Sequence, residues 1–286
     1  MSPELIANYD CETGEGPLWH PGEQRLYWCD IPTGRLFRYD PDSQQHERCY
    51  DGDVVGGYTI QEDGSLLLFM EEGRIARWDD GDLETVLEAI PDERNSRFND
   101  VIADPAGRVF CGTMPSQDGL GSLYRLDTDG TLTTVLDAVD VSNGLGFTPE
   151  TDGLYYAETH ESTIWYYDYD ETTGAISNRQ PFVETTDGPG RPDGLTVDSE
   201  GFVWSARWDG GCVVRHAPDG SEDDRVEFPA RKVSSVAFGG PDCQDAYVTT
   251  AGGHLDPEEE GTGAGGLFRF TPDVSGREEF RSAVEL

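Results

Sequence analysis

Four oxygen-bearing side chains recur at one spacing along this chain of 286 residues, and they are the groups with which chemistry could be done. Six short apolar segments serve as anchors, at Leu26, Leu66, Val109, Leu154, Val203 and Tyr247. Counting back 10 or 11 residues from four of them reaches Glu15 in GEGP, Asn99 in RFND, Asn143 in SNGL and Asp193 in PDGL. The second and sixth segments offer only Gly56 and Ser235 at this place. Two carboxylates and one or two amide oxygens in a confined space suit a hard cation, because carboxylates packed so closely repel one another without one. Neither Cys nor His stands in the set, which argues against a structural zinc site. Ca²⁺, Mg²⁺ or Mn²⁺ is the natural occupant, with Fe²⁺ or Zn²⁺ open to a catalytic site.

Singly, each residue has a plainer explanation. Asn143-Gly144 and Asp193-Gly194 are favoured hairpin dipeptides, Glu15 is one of 57 acidic residues, and Asn99 could cap a turn. The local turns are already supplied downstream by TPETDG and DSEG, however, and a shared register is not expected of unrelated turn residues.

The elements that position this set are legible as a repeat. A short apolar run, a Gly/Asp/Pro turn and a second apolar run recur six times, from LWHPGEQRLYWCDI at 18–31 to VAFGGPDCQDAYVTTA at 236–251. Each is followed by a third strand of shared character, such as GRLFRYDP from residue 34 or GGLFRFTP from residue 265, and most by a fourth, such as LTTVLDAV at 132–139. Six units with anchors 40 to 49 residues apart predict an all-β, six-bladed β-propeller, a single domain over residues 1–286. The opening ELIANYD is expected to pair with the last blade and close the ring. In such a ring the innermost strands line the channel, and their entry residues face its mouth.

The segments GEGPLW, RFNDVIADPAGRVFCGTM, GSLYRLD, VSNGLGF, PDGLTVDSEGFVWSARWDGG and SSVAFGG stand in the order found in the regucalcin (senescence marker protein) and gluconolactonase family, which the whole chain resembles. The resemblance implies a six-bladed propeller with one divalent metal in the channel and hydrolysis of sugar lactones. It further implies that Glu15, Asn143 and Asp193 are the metal ligands, and that Arg97 and Asn99 contact substrate hydroxyls. One departure concerns a loop that carries an acidic residue over the substrate in some members. Here it is the short PSQDGLG at 115–121, with Asp118 as its only acid.

On this reading water attacks the ester carbonyl of a pentono- or hexonolactone. Asp193 is the candidate general base, and a water activated by the cation is the alternative. Hydrolysis of phosphotriesters or other esters is the nearest rival activity, and a non-catalytic calcium-binding propeller the rival from another class. His160 and Trp208 follow second strands near the channel mouth, where the plainer expectation is an exposed loop histidine and a tryptophan packed on the next blade.

Composition narrows the setting. With 57 acidic and 20 basic residues the formal charge is −37, and Lys232 is the single lysine. Such a surface repels nucleic acid and anionic membranes, and it needs abundant counterions to be stable. It matches proteins of salt-accumulating archaea. The N-terminal MSPELIANYD shows neither a basic n-region nor an apolar h-region, so a cytoplasmic location with free thiols is expected, as a monomer or small homo-oligomer.

Overall fold

The computed structural model describes residues 2–285. Its strands form six antiparallel sheets of four, arranged as the blades of a propeller. Blades 1 to 5 follow chain order. Their inner strands are Gly14–His20, Val55–Ile60, Phe98–Ala103, Ser142–Phe147 and Arg191–Val197. Blade 6 begins with the inner strand Val233–Gly239 and ends with the N-terminal strand Glu4–Asn8, which pairs with Gly266–Phe270 in the register Glu4 to Arg269. The ring is therefore closed by the first residues of the chain, as the sequence predicts.

Each neighbouring pair of inner strands packs together around the ring. Second strands such as Leu66–Met70 and Val109–Thr113 are buried throughout, whereas fourth strands such as Gln45–Asp51 are largely exposed. The apolar core consequently lies between blades. Trp204, Phe238, Phe268 and Phe270 fill the space between blades 5 and 6, and Tyr27, Tyr58, Leu66 and Trp78 that between blades 1 and 2. All six cysteines are free. No helix among the described residues is long and apolar enough to cross a membrane.

Two features shape the channel. Every inner strand carries a β-bulge near its entry, between Glu15 and Leu18, Val55 and Gly57, Phe98 and Val101, Ser142 and Leu145, Pro192 and Leu195, and Val233 and Ser235. A bulge bends the strand and re-aims the side chains around it. In four blades the bulge lies at or beside a residue that borders the channel mouth: Glu15, Asn99, Asn143 and Asp193. The six strands converge so tightly that glycine is required at two places. A Cβ on Gly56 would collide with the Phe98 carbonyl, and one on Gly144 with the backbone of Asp193 and Leu195.

The second feature lies outside the repeat. Residues 271–285 cross the face formed by the turns between first and second strands. The Ser199 N–H donates to the Ser275 carbonyl (3.0 Å), Arg277 donates to the Thr148 carbonyl (3.2 Å), and the Ala283 N–H donates to the Gly107 carbonyl (2.8 Å). The Gln61 amide donates to the Val284 carbonyl (3.0 Å). This strap ties blades 5, 4, 3 and 2 together. Its Glu279 and Phe280 border a narrow cavity of about 80 Å³ inside the channel, so the wide mouth is on the opposite face.

Candidate active site

Pairing within the hairpins explains the spacing read from the sequence. The anchors Leu26, Val109, Leu154 and Val203 pair with Trp19, Ala103, Phe147 and Val197. Glu15, Asn99, Asn143 and Asp193 each precede that partner by four residues, so they occupy one structural position in four blades. Hairpin turns one residue longer in blades 1 and 4 produce the offset of 11 instead of 10. All four side chains are buried and border one cavity of about 830 Å³ at the channel mouth, together with Arg97. Gly56 and Ser235 do not border it. They line the narrow channel below.

A directional chain of hydrogen bonds runs through these residues. Arg97 Nη1 donates to Asn99 Oδ1 (2.7 Å) and to the Phe98 carbonyl (2.8 Å). Asn99 Nδ2 donates to Asn143 Oδ1 (2.9 Å) and to the Ser142 carbonyl (2.8 Å), and Asn143 Nδ2 donates to Thr159 Oγ1 (2.6 Å). Thr159 in turn donates to the Pro192 carbonyl (2.8 Å). Each amide thus has its orientation set by the next group in line. Both donors of Asn99 are spent within the protein, so only its Oδ1 retains capacity for a ligand. Asn143 Oδ1 keeps one lone pair in reserve.

The sequence profile described as the SMP-30/Gluconolactonase/LRE-like region matches residues 13–252. The chain belongs to this family. It is 53% identical to the pentonolactonase XacC of Haloferax volcanii over the full length of both chains. It is 36% identical to the 6-deoxy-6-sulfogluconolactonase of Pseudomonas putida, covering 86% of each chain. Its fold superimposes on that of regucalcin, a calcium-binding protein from Agrobacterium tumefaciens, with a TM-score of 0.89 at 26% identity, over 97% of this chain and 96% of the other.

The electrostatics of this family member are set by burial. Removal from water pushes the Glu15 carboxyl well above its usual range, and Asp193 and Asp100 push it further; the Gly16 N–H (3.1 Å) and Arg97 act in the other direction. Burial also raises Asp193, helped by Asp100, while Arg97 and the Asn143 amide oppose the rise. Asp100, in the bulge beside Asn99, is pushed up to about 7 by desolvation, with Arg97 drawing it down. Arg97 is the one cation acting on all three carboxylates, and its own pKa is lowered by desolvation. One hindered guanidinium cannot neutralise this set, so the donors present fit an added divalent cation. Among the described residues no three His, Cys, Asp or Glu side chains form a cage on their own. A cation here would accordingly draw on the Asn143 oxygen as well as Glu15 and Asp193, an all-oxygen donor set suited to a hard ion.

The remaining residues singled out in the sequence lie as follows. His160 borders the cavity, exposed as expected, with Nδ1 3.0 Å from Asp140 Oδ1. Trp208 is half-buried and also borders the cavity rather than being absorbed between blades. Asp118 does not line the cavity. Asn95 Nδ2 donates to its Oδ2 (2.5 Å), and Met114 and Pro115 are the cavity residues of that segment. Sequence reasoning missed Thr159, Asp100 and Arg191. Only Arg191 carried a signal, since it precedes Asp193 by two residues as Arg97 precedes Asn99.

Proposed function

We propose that this chain hydrolyses a pentono- or hexonolactone to the open sugar acid, using Glu15, Asn143 and Asp193 to hold one divalent cation. The observation that carries the reading is the arrival of four oxygen donors and one arginine, from four blades, at the base of a single open cavity. The names of the pentonolactonase and sulfogluconolactonase relatives support the lactone as substrate class. When bound, a divalent cation would offset the two buried carboxylates and act as a Lewis acid toward the lactone carbonyl.

The chain's own residues do the rest. Arg97 retains Nε and Nη2 as donors, and Asn99 Oδ1 remains an acceptor, a combination that reads vicinal hydroxyls. Asp193 takes a proton from the attacking water as its oxygen bonds to the carbonyl carbon. The same proton then passes to the ring oxygen as the C–O bond breaks, which leaves the acid and a free hydroxyl. The polar wall formed by Arg97, Asn99 and Thr159 favours a sugar over the hydrophobic esters of the rival activity. A purely calcium-storing propeller has no use for a cavity of about 830 Å³.

The test is acid release from pentono- and hexonolactones by protein purified in high salt, stripped of metal and supplied with Ca²⁺, Mg²⁺, Mn²⁺, Fe²⁺ or Zn²⁺ in turn. Release above the spontaneous rate that depends on added metal is expected. A rate equal to the uncatalysed control with every metal rules the reading out.

A further inference from the structure

The cavity is lopsided, and its excess lies on one side. Blades 2 and 6 contribute nothing to its wall, and blade 1 only Thr13 and Glu15. Half of the lining comes from one side of the mouth in blades 4 and 5, at 159–162, 185–191 and 208–209. The volume of about 830 Å³ exceeds what a monosaccharide lactone needs. Its twelve heavy atoms would fill only ~360 Å³, even at the ~30 Å³ that liquid water allots to each of its own.

We propose that this flank is a second sugar subsite, so that the enzyme also accepts aldobionolactones, in which the lactone carries a glycosyl substituent. The inference rests on the lactonase reading of the ring below it. Three observations carry it. Trp208 borders the flank and is held in place: Lys232 Nζ lies 5.6 Å from its ring centroid and is itself pinned by Glu260 at 2.9 Å. An aromatic wall suits the C–H face of a pyranose. Arg191 stands in the same wall, exposed and without a hydrogen-bond or ion-pair partner among the described residues, in a chain where acids outnumber basic residues 57 to 20. Its five donors are free for hydroxyl groups. Asp209, beside Trp208 and 3.4 Å from Arg231 Nη2, supplies carboxylate acceptors for sugar hydroxyls. Ser162 and Thr186 add hydroxyls to the lining.

The full-length protein, with whichever metal supports activity, is assayed on glucono-1,5-lactone and on lactobiono-1,5-lactone, which bears a galactosyl group. Both should be hydrolysed. Trp208→Ala and Arg191→Met should each raise KM for the disaccharide lactone about tenfold, the equivalent of losing ~1.4 kcal/mol of contact, and leave gluconolactone kinetics unchanged. Hydrolysis of gluconolactone alone overturns the subsite and spares the lactonase reading. Equal losses on both substrates overturn it as well, and no hydrolysis of either removes both proposals together.

Discussion

Thr159→Val isolates what the hydrogen-bond chain does. Valine keeps the volume of threonine but removes the hydroxyl that accepts from Asn143 Nδ2 at 2.6 Å and donates to the Pro192 carbonyl at 2.8 Å. Two polar groups lose their partner, at a cost of about 1–3 kcal/mol each, partly offset where water from the cavity reaches them. The larger effect should be on the cation, because the Asn143 amide then loses one of the two contacts that fix its plane and is held only by Asn99 Nδ2 on its oxygen. Loss of a group that orients a metal ligand typically costs about 10–100-fold in affinity. Calorimetric titration of Ca²⁺ or Mn²⁺ into the metal-stripped variant in high salt should show a drop of that size, with kcat recovering at saturating metal. Thr159→Ser, which retains the hydroxyl, should bind as the wild type does. If the valine variant is destabilised yet binds the cation with unchanged affinity, Thr159 only props up the fold and the orienting argument fails.

Asp193→Asn should lower kcat by roughly 10²–10⁴-fold with the circular dichroism spectrum intact, since it removes a proton acceptor without removing volume. Asp100 gives a pH prediction for the metal-free protein. Its folded pKa, about 7, lies above the ordinary 3.8, so between those values the folded state binds more protons than the unfolded state and stability falls as pH rises through that window. Urea denaturation of Asp100→Asn at fixed salt should show a weaker decline from pH 4 to pH 7 than the wild type. Gly56→Ala should cost about 1–3 kcal/mol or more in the same assay, because its methyl meets the Phe98 carbonyl.

How far the sequence could be read depended on the range of each interaction. The blades were legible because alternation and turn residues act within about ten positions, and the ring register followed because each hairpin measures the distance from its own anchor. Blade 6 shows the limit. Tyr247 pairs with Ala237 across a longer turn, so Val233, not Ser235, precedes that partner by four residues. Thr159 acts on Asn143 16 positions away and on the next blade, and nothing in ETHES marks it. The strap at 271–285 has neither alternation nor repeat partner, since its hydrogen bonds go to turns of distant blades. Asp118 fits the departure read from the short 115–121 loop: it is held by Asn95 and does not line the cavity.

Closure by Glu4–Asn8 has a consequence for synthesis. That strand is synthesised more than 250 residues before its pairing partner Gly266–Phe270. Throughout translation the nascent chain therefore carries an unpaired strand and an incomplete ring, each a template for pairing with another chain. The sheets can shorten this exposure only by folding blade by blade, and ring closure waits for the strand Gly266–Phe270. Dense negative charge on the growing chain would keep such intermediates apart during the wait, so the acidity of the finished surface also guards its assembly.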